Sequence, residues 1–121
     1  IEKPFSLINK KKFEKIIKDL NVNIVYLPVT LIKLLRSLKI KFSNRDLLKI
    51  KSIGSMGEPL SPYVCKWYIN LFIEKEKPVI NTYFQTETGG IICSSIYSEK
   101  RKVPHGSVGK PLNKSIKISK K

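Results

Sequence analysis

The strongest constraint on how this chain folds is an alternation: short apolar, β-branched runs recur between stretches of helical periodicity. Phe13, Ile16, Ile17 and Leu20 fall at i, i+3, i+4 and i+7 with lysines on the other face, which predicts an amphipathic helix over Lys10 to Leu20. Asn23-Ile-Val-Tyr-Leu27 then reads as a buried strand. Beyond Pro28, the residues Leu31, Ile32, Leu34, Leu35 and Leu38 give a second helix with a wide apolar face. Asp46 to Leu48 offers a short helical turn before a strand over Ile50 to Met56. Ser61-Pro62 starts a third helix, with Ser61 as N-cap and Pro62 at the first helical position, where a missing N–H costs nothing. That helix is expected to reach Ile73 and to bury Val64, Trp67, Tyr68, Leu71 and Phe72. Pro78 to Asn81 is a third short strand, Gly89-Gly90 turns the chain, and Ile91 to Tyr97 is a fourth.

The resulting order, α-β-α-β-α-β and then β, predicts an α/β fold: a partial parallel sheet with flanking helices, ending in β structure. In open α/β sheets ligands bind beyond the carboxyl ends of the strands. Two unusual loops fall at such ends, Gly54 to Leu60 and Thr82 to Gly90. No internal repeat or Gly/Ser/Pro-rich linker divides the 121 residues, so they form one structural unit. The first residue is Ile1, and Ile116 to Lys121 reads as a strand beginning, so a piece of a longer protein is expected.

Composition excludes several classes. Two cysteines, Cys65 and Cys93, cannot build a multi-bridge secreted scaffold, and the single His105 cannot anchor a Cys/His zinc cluster. No run approaches the roughly 20 apolar residues that span a bilayer, and the first residues lack a signal-peptide pattern. A soluble protein of the reducing cytoplasm, with no membrane partner, is the expectation.

The 24 Lys plus Arg against 9 Asp plus Glu give a formal charge of +15, which suggests an anionic partner such as nucleic acid. However, all of the basic residues except Arg36, Arg45 and Arg101 are lysine, a poor fit to bidentate base readout. Alanine is absent while isoleucine, lysine and asparagine are abundant, as an AT-biased coding sequence produces on any fold. The lysines are also spread along the chain, and no specific nucleic-acid partner is expected. A basic nucleic-acid-binding module remains the alternative from a different class.

Two segments carry chemistry. Gly54-Ser55-Met56-Gly57-Glu58-Pro59 lets backbone approach a ligand closely and sets an acid just before a proline, although a plain β–α loop has the same composition. Tyr83-Phe84-Gln85-Thr86-Glu87-Thr88-Gly89-Gly90 places aromatics, hydroxyls and a carboxylate within eight residues. An aromatic face stacks on a purine, a threonine hydroxyl bonds a phosphate oxygen, and a carboxylate suits Mg²⁺. This makes it a candidate nucleotide site.

Taken together, "GSMGEPLSPYVCKWY", "PVINTYFQTETGG" and "HGSVGKPL", with "VNIVYLPVTLIKLL" upstream, resemble the acyl-adenylate-forming (AMP-binding) ligases, most nearly their acetate–CoA ligase branch. The similarity covers nearly the whole chain and implies an internal fragment of the large N-terminal domain. Such ligases use MgATP to convert a carboxylate to an acyl-adenylate, then pass the acyl group to coenzyme A. By resemblance, Gly57, Glu58 and Pro59 line the adenine pocket, and Asn81, Thr82, Tyr83, Phe84, Gln85 and Thr86 form the ATP-binding strand end. The same resemblance places Tyr83 next to adenine, Thr86 on the α-phosphate and Glu87 on magnesium. Thr86 and Glu87 are the catalytic candidates, and Met56 and Phe84 border the acyl pocket.

The chain departs from the pattern at informative places. The family's aspartate before its two tryptophans is Asn81, and the tryptophans are Tyr83 and Phe84. The resemblance implies that Phe84 blocks much of the acyl pocket, though less completely than tryptophan, so acetate is the expected acid and propionate or a similar short acid the next. "IEKPFS" does not match the stretch that contacts coenzyme A, and "LNKSIKI" lacks a glycine after Pro111. The phosphate loop and the lysine-bearing C-terminal domain of such ligases lie outside these residues. The isolated chain, lacking the remainder of its own polypeptide, is therefore expected to be inactive. A degenerate, non-catalytic relative is the further alternative.

Overall fold

The computed structural model describes residues 9–42, 49–72, 79–95, 103–115, 117 and 119. Helix α1 spans Lys10–Asp19, capped by Asn9, whose Oδ1 accepts from the Lys12 N–H at 3.3 Å. It buries Phe13 and Ile17, but Leu20 lies past its end and is exposed. The cause is the exit: Asn21 takes a left-handed backbone, φ 48°, which turns the chain toward the sheet.

Strand β1 (Ile24–Pro28) pairs in parallel with β2 (Ser52–Met56), and β2 in parallel with β3 (Ile80–Gln85). The crossovers are α2 (Val29–Ser37) and α3 (Pro62–Phe72). Strand order follows chain order, so right-handed connections put both helices on one face, where they join α1 in a single core. Ser61 caps α3 as its motif predicts, accepting from the Val64 N–H at 3.4 Å. Phe13, Phe42, Phe72 and Tyr68 form a chain of ring contacts, with centroids 5.2 to 6.1 Å apart. The Tyr68 hydroxyl, fully buried, donates to the Gly54 carbonyl at 3.1 Å and ties α3 to β2.

Among the described residues, the helices cover one face of this sheet. Strand β1 therefore alternates instead of being buried throughout: Val25 and Leu27 point into the core, while Ile24 and Tyr26 are exposed. The apolar face of α2 is likewise narrower than its leucine content suggests, with Val29, Ile32 and Leu35 buried and Leu34 and Leu38 exposed. In α3, Ile69 and Cys65 take core positions and Trp67 is only half-buried.

Beyond β3 the sheet becomes mixed. A 3₁₀ turn over Thr86–Thr88 leads into β4 (Gly90–Ser94), antiparallel to β3, and β4 pairs with the two-residue β5 (Lys110–Pro111). The expected third strand thus extends four residues past Asn81, because β4 supplies a ladder for Thr82 to Gln85. Pro78, the helical turn at Asp46 to Leu48, the end of the expected fourth strand at Tyr97 and most of the expected strand at Ile116 to Lys121 lie outside the described residues.

Candidate active site

Strands β2 and β3 are parallel neighbours, with Gly54 opposite Ile80 and Ser55 opposite Asn81, so their carboxyl ends open on the same edge of the sheet. Met56 ends β2, half-buried, and Gly57, Glu58 and Pro59 follow it, all exposed. Gly57 has φ 91°, a conformation costly for any other residue, and nothing lies within 4 Å of where a Cβ would stand. The space beside it is open to a ligand. The Glu58 carboxylate accepts from the Lys33 ammonium of α2 at 2.6 Å. Leu60, nearly fully buried, anchors the loop from beneath.

At the end of β3 the aromatic pair stands out of the sheet, Tyr83 at 44% and Phe84 at 41% exposure. An irregularity sits between them: Tyr83 is opposite Cys93 but Phe84 is opposite Ile91, leaving Ile92 as an extra residue on β4. Such a bulge twists the ladder and re-aims side chains beside a site.

Thr86 and Glu87 project from the 3₁₀ turn, both exposed. The turn is built by its flanks. The Thr88 hydroxyl donates to the Gln85 carbonyl at 2.7 Å and accepts from the Gln85 N–H at 3.3 Å, and Gly89 closes it with φ 64°. Gln85 and Thr88 therefore hold the platform, while Thr86 and Glu87 remain available to a ligand.

Asn81 and Thr82 are both buried, pointing to opposite faces of β3. Asn81 is 1% exposed, and its Oδ1 accepts from the Ser55 hydroxyl at 3.0 Å while its Nδ2 donates to the Gly106 carbonyl at 3.2 Å. The Ser95 hydroxyl bonds the Asn81 N–H at 2.8 Å. Thr82, also buried, bonds the Tyr26 hydroxyl and lies 3.3 Å from the Ser55 carbonyl. A purine amine would thus meet Asn81 only through the second lone pair of Oδ1 or through backbone.

This junction brings together the three sequence segments. Ser55 comes from the first, Asn81 from the second and Gly106 from the third, whose two glycines, Gly106 and Gly109, pack too closely for a side chain. A Cβ on Gly106 would stand 2.2 Å from the Leu60 carbonyl oxygen, and one on Gly109 2.1 Å from that of Ser94. Beside them the Cys65 thiol lies 3.8 Å from His105 Nδ1, and burial pushes that thiol upward despite an opposing hydrogen bond from Gly106.

Sequence reasoning missed Ser55, Ser95, Thr88 and Tyr26. Only Thr88 left a usable signal, a hydroxyl three residues after a Gln at a turn. Tyr26 lies across Gly54, where a Cβ would meet its ring at 2.3 Å, and no sequence pattern reports that crossing.

Magnesium binding fits a shared site rather than a closed cage. Glu87 offers one exposed carboxylate, and among the described residues no group of three or more His, Cys, Asp or Glu is placed to hold a metal. One carboxylate together with substrate phosphates is a common way to hold Mg²⁺. Among the described residues no helix is long and apolar enough to cross a membrane.

Residues 2–120 match the family described as AMP-binding enzyme. The acetyl-coenzyme A synthetase of Shewanella halifaxensis is 36% identical over 92 residues, covering 75% of this chain and 14% of that protein. The Caulobacter vibrioides protein of the same name is 32% identical over 102 residues, 84% of this chain and 16% of its own length. That of Brucella anthropi is 34% identical over 88 residues, 70% of this chain and 13% of its own. The chain thus spans only about one-seventh of these relatives. With the match running almost from end to end, it belongs to the AMP-binding enzyme family.

Proposed function

We propose that this chain forms the nucleotide-binding edge of an acid–thiol ligase that activates a short carboxylate, acetate first, as its acyl-adenylate and transfers it to coenzyme A. The observation that carries the proposal is the capped turn beside an open loop: exposed Thr86 and Glu87 at the end of β3, and Gly57 with free space at the end of the adjacent β2. Relatives of matching sequence bear the name acetyl-coenzyme A synthetase.

The chemistry asks for positioning rather than a protein nucleophile. A carboxylate oxygen attacks the α-phosphorus of ATP, the bond to the β-phosphate bridge breaks, and pyrophosphate leaves. The substrate acid is already ionised, so no general base is required. The coenzyme A thiol then attacks the acyl carbon and AMP departs. In this scheme the Tyr83 ring stacks on adenine, the backbone of Gly57 and Pro59 borders it, and the Thr86 hydroxyl and backbone N–H donate to an α-phosphate oxygen. Met56 and Phe84 limit the length of the acid. Glu87 would hold magnesium together with the nucleotide phosphates, and the ion, when bound, would supply electrostatic stabilisation of the charge on the phosphate oxygens. Asn81 serves by fixing the strand end on which these groups stand. The remainder of a longer polypeptide, in the cytoplasm, supplies the phosphate loop and the acyl-transfer machinery.

The test is acetate-dependent exchange of labelled pyrophosphate into ATP by the full-length polypeptide, with propionate and butyrate in parallel. Exchange is expected to be fastest with acetate and absent from the 121-residue chain alone. A full-length protein that exchanges with none of the three acids would overturn the proposal.

A further inference from the structure

A second concave surface lies away from the strand ends, between the end of α2 and the flank of α3. Two adjoining hollows of about 370 and 460 Å³ share Ile40, Lys41 and Trp67, and the larger adds Lys33, Arg36 and Lys39. Among the described residues, no carboxylate lines either hollow. Lys33 is partnered by Glu58, so the net charge falls on Arg36, Lys39 and Lys41.

Lysine-rich composition alone does not explain this. The groove along α1 has the same abundance of lysine, at Lys11, Lys15 and Lys18, yet it is interleaved with Glu14 and Asp19, and Lys18 lies 3.2 Å from the Glu14 carboxylate. Most of the charge there is compensated. Nor does the α2 dipole account for the cluster, since its influence fades within the last turn, which holds Arg36 but not Lys39 or Lys41. Lys39 also occupies the position after a helix where glycine is favoured. It has φ 51°, its N–H bonds the Arg36 carbonyl at 2.9 Å, and Ile40 N–H bonds that of Leu35 at 3.1 Å. This turn places a charged side chain on the rim of the groove at a local conformational cost.

We infer that this groove is a binding site for a small phosphate-bearing polyanion, held by Arg36, Lys39 and Lys41 against the half-buried Trp67. Clustered cations attract phosphate oxygens, and the indole offers a flat surface for a base if one is attached. The site shares no residue with the Gly57 and Thr86 edge, so it does not depend on the ligase proposal.

Trp67 is the single tryptophan of the chain, which makes its emission a local reporter. The experiment titrates the folded chain at low salt with sodium tripolyphosphate and, separately, with ATP, following Trp67 emission and the heat of binding. Saturable binding is expected, weakened about tenfold in Lys39→Gln/Lys41→Gln and retained in Lys39→Arg/Lys41→Arg. Lys11→Gln/Lys15→Gln, in the groove along α1, is expected to bind as the parent does, which separates this site from the general positive charge of the chain. Tighter binding of ATP than of tripolyphosphate that is likewise weakened in Lys39→Gln/Lys41→Gln places a base on Trp67, and equal binding assigns the affinity to phosphate alone. Both outcomes support the site. No saturable response, or undiminished binding in a Gln double variant shown to be folded by circular dichroism, overturns it.

Discussion

The side-chain amide of Asn81 donates to the carbonyl oxygen of Gly106 at 3.2 Å, across 25 residues of chain, and so fastens the Pro104-to-Gly109 segment to the middle of the sheet. An aspartate has the same shape but no donor. Asn81→Asp is therefore expected to cost about 2 kcal/mol at neutral pH, because a buried carboxylate would face a carbonyl. Burial would raise the folded-state pKa of the new acid, so the variant binds its proton more tightly when folded. Its stability relative to the parent is then expected to recover as pH falls through that raised value and to be lost above it. Urea unfolding of parent and variant at neutral and mildly acidic pH checks this. A deficit that does not change with pH would show that the amide donor is not what matters.

A pH effect of opposite range comes from Tyr68. Burial pushes its phenol far above the ordinary tyrosine range near pH ~10, so the folded chain keeps the proton that the unfolded chain releases. The associated stability is complete below that value and lost as pH rises beyond it. Tyr68→Phe is expected to cost about 1 kcal/mol at neutral pH through the lost bond to Gly54, while its own stability falls less steeply above pH ~10. Denaturant midpoints across the alkaline range measure both slopes.

Two glycines on one strand and the turn after it separate space from conformation. At Gly54 a Cβ would meet the Tyr26 ring at 2.3 Å and the Ile80 carbonyl oxygen at 2.9 Å. Gly54→Ala is expected to destabilise by about 1–3 kcal/mol through overpacking. Gly57 has open space but φ 91°, so Gly57→Ala is expected to cost about 1 kcal/mol through backbone strain alone. Only the first is expected to be eased by Tyr26→Ala, and a double-variant cycle reads that coupling directly.

The Lys33–Glu58 pair, 2.6 Å apart with both side chains exposed, is expected to contribute less than about 1 kcal/mol. A double-mutant cycle in low and high salt tests it: the coupling should fade as salt rises.

These relationships mark how far the sequence could be read. The helix periods, the Ser61-Pro62 cap and the two loops at strand ends were legible because each rests on local chemistry. The exposure of Ile24, Tyr26, Leu34 and Leu38 was not, since an apolar run does not say which of its faces another layer covers. The length of β3 escaped for a related reason: Thr82 to Gln85 are polar or aromatic and become strand only because β4 folds back on them. In the candidate site, the motifs marked the segments but not how the residues within them are placed. Asn81 and Thr82 are buried ties, and Thr86 and Glu87 are presented outward. That division depends on Ser55, Ser95 and Gly106, which are distant in sequence from the residues they hold.

The central claim is that Glu87 works with magnesium and ATP at the end of β3. It is tested most directly by comparing full-length parent and Glu87→Gln in acetate-dependent pyrophosphate exchange across a magnesium titration. The account predicts that Glu87→Gln lowers exchange by about 100-fold or more and raises the magnesium concentration needed for half-maximal rate, with the fold intact by circular dichroism. Exchange by the variant at the parental rate and magnesium dependence would contradict it.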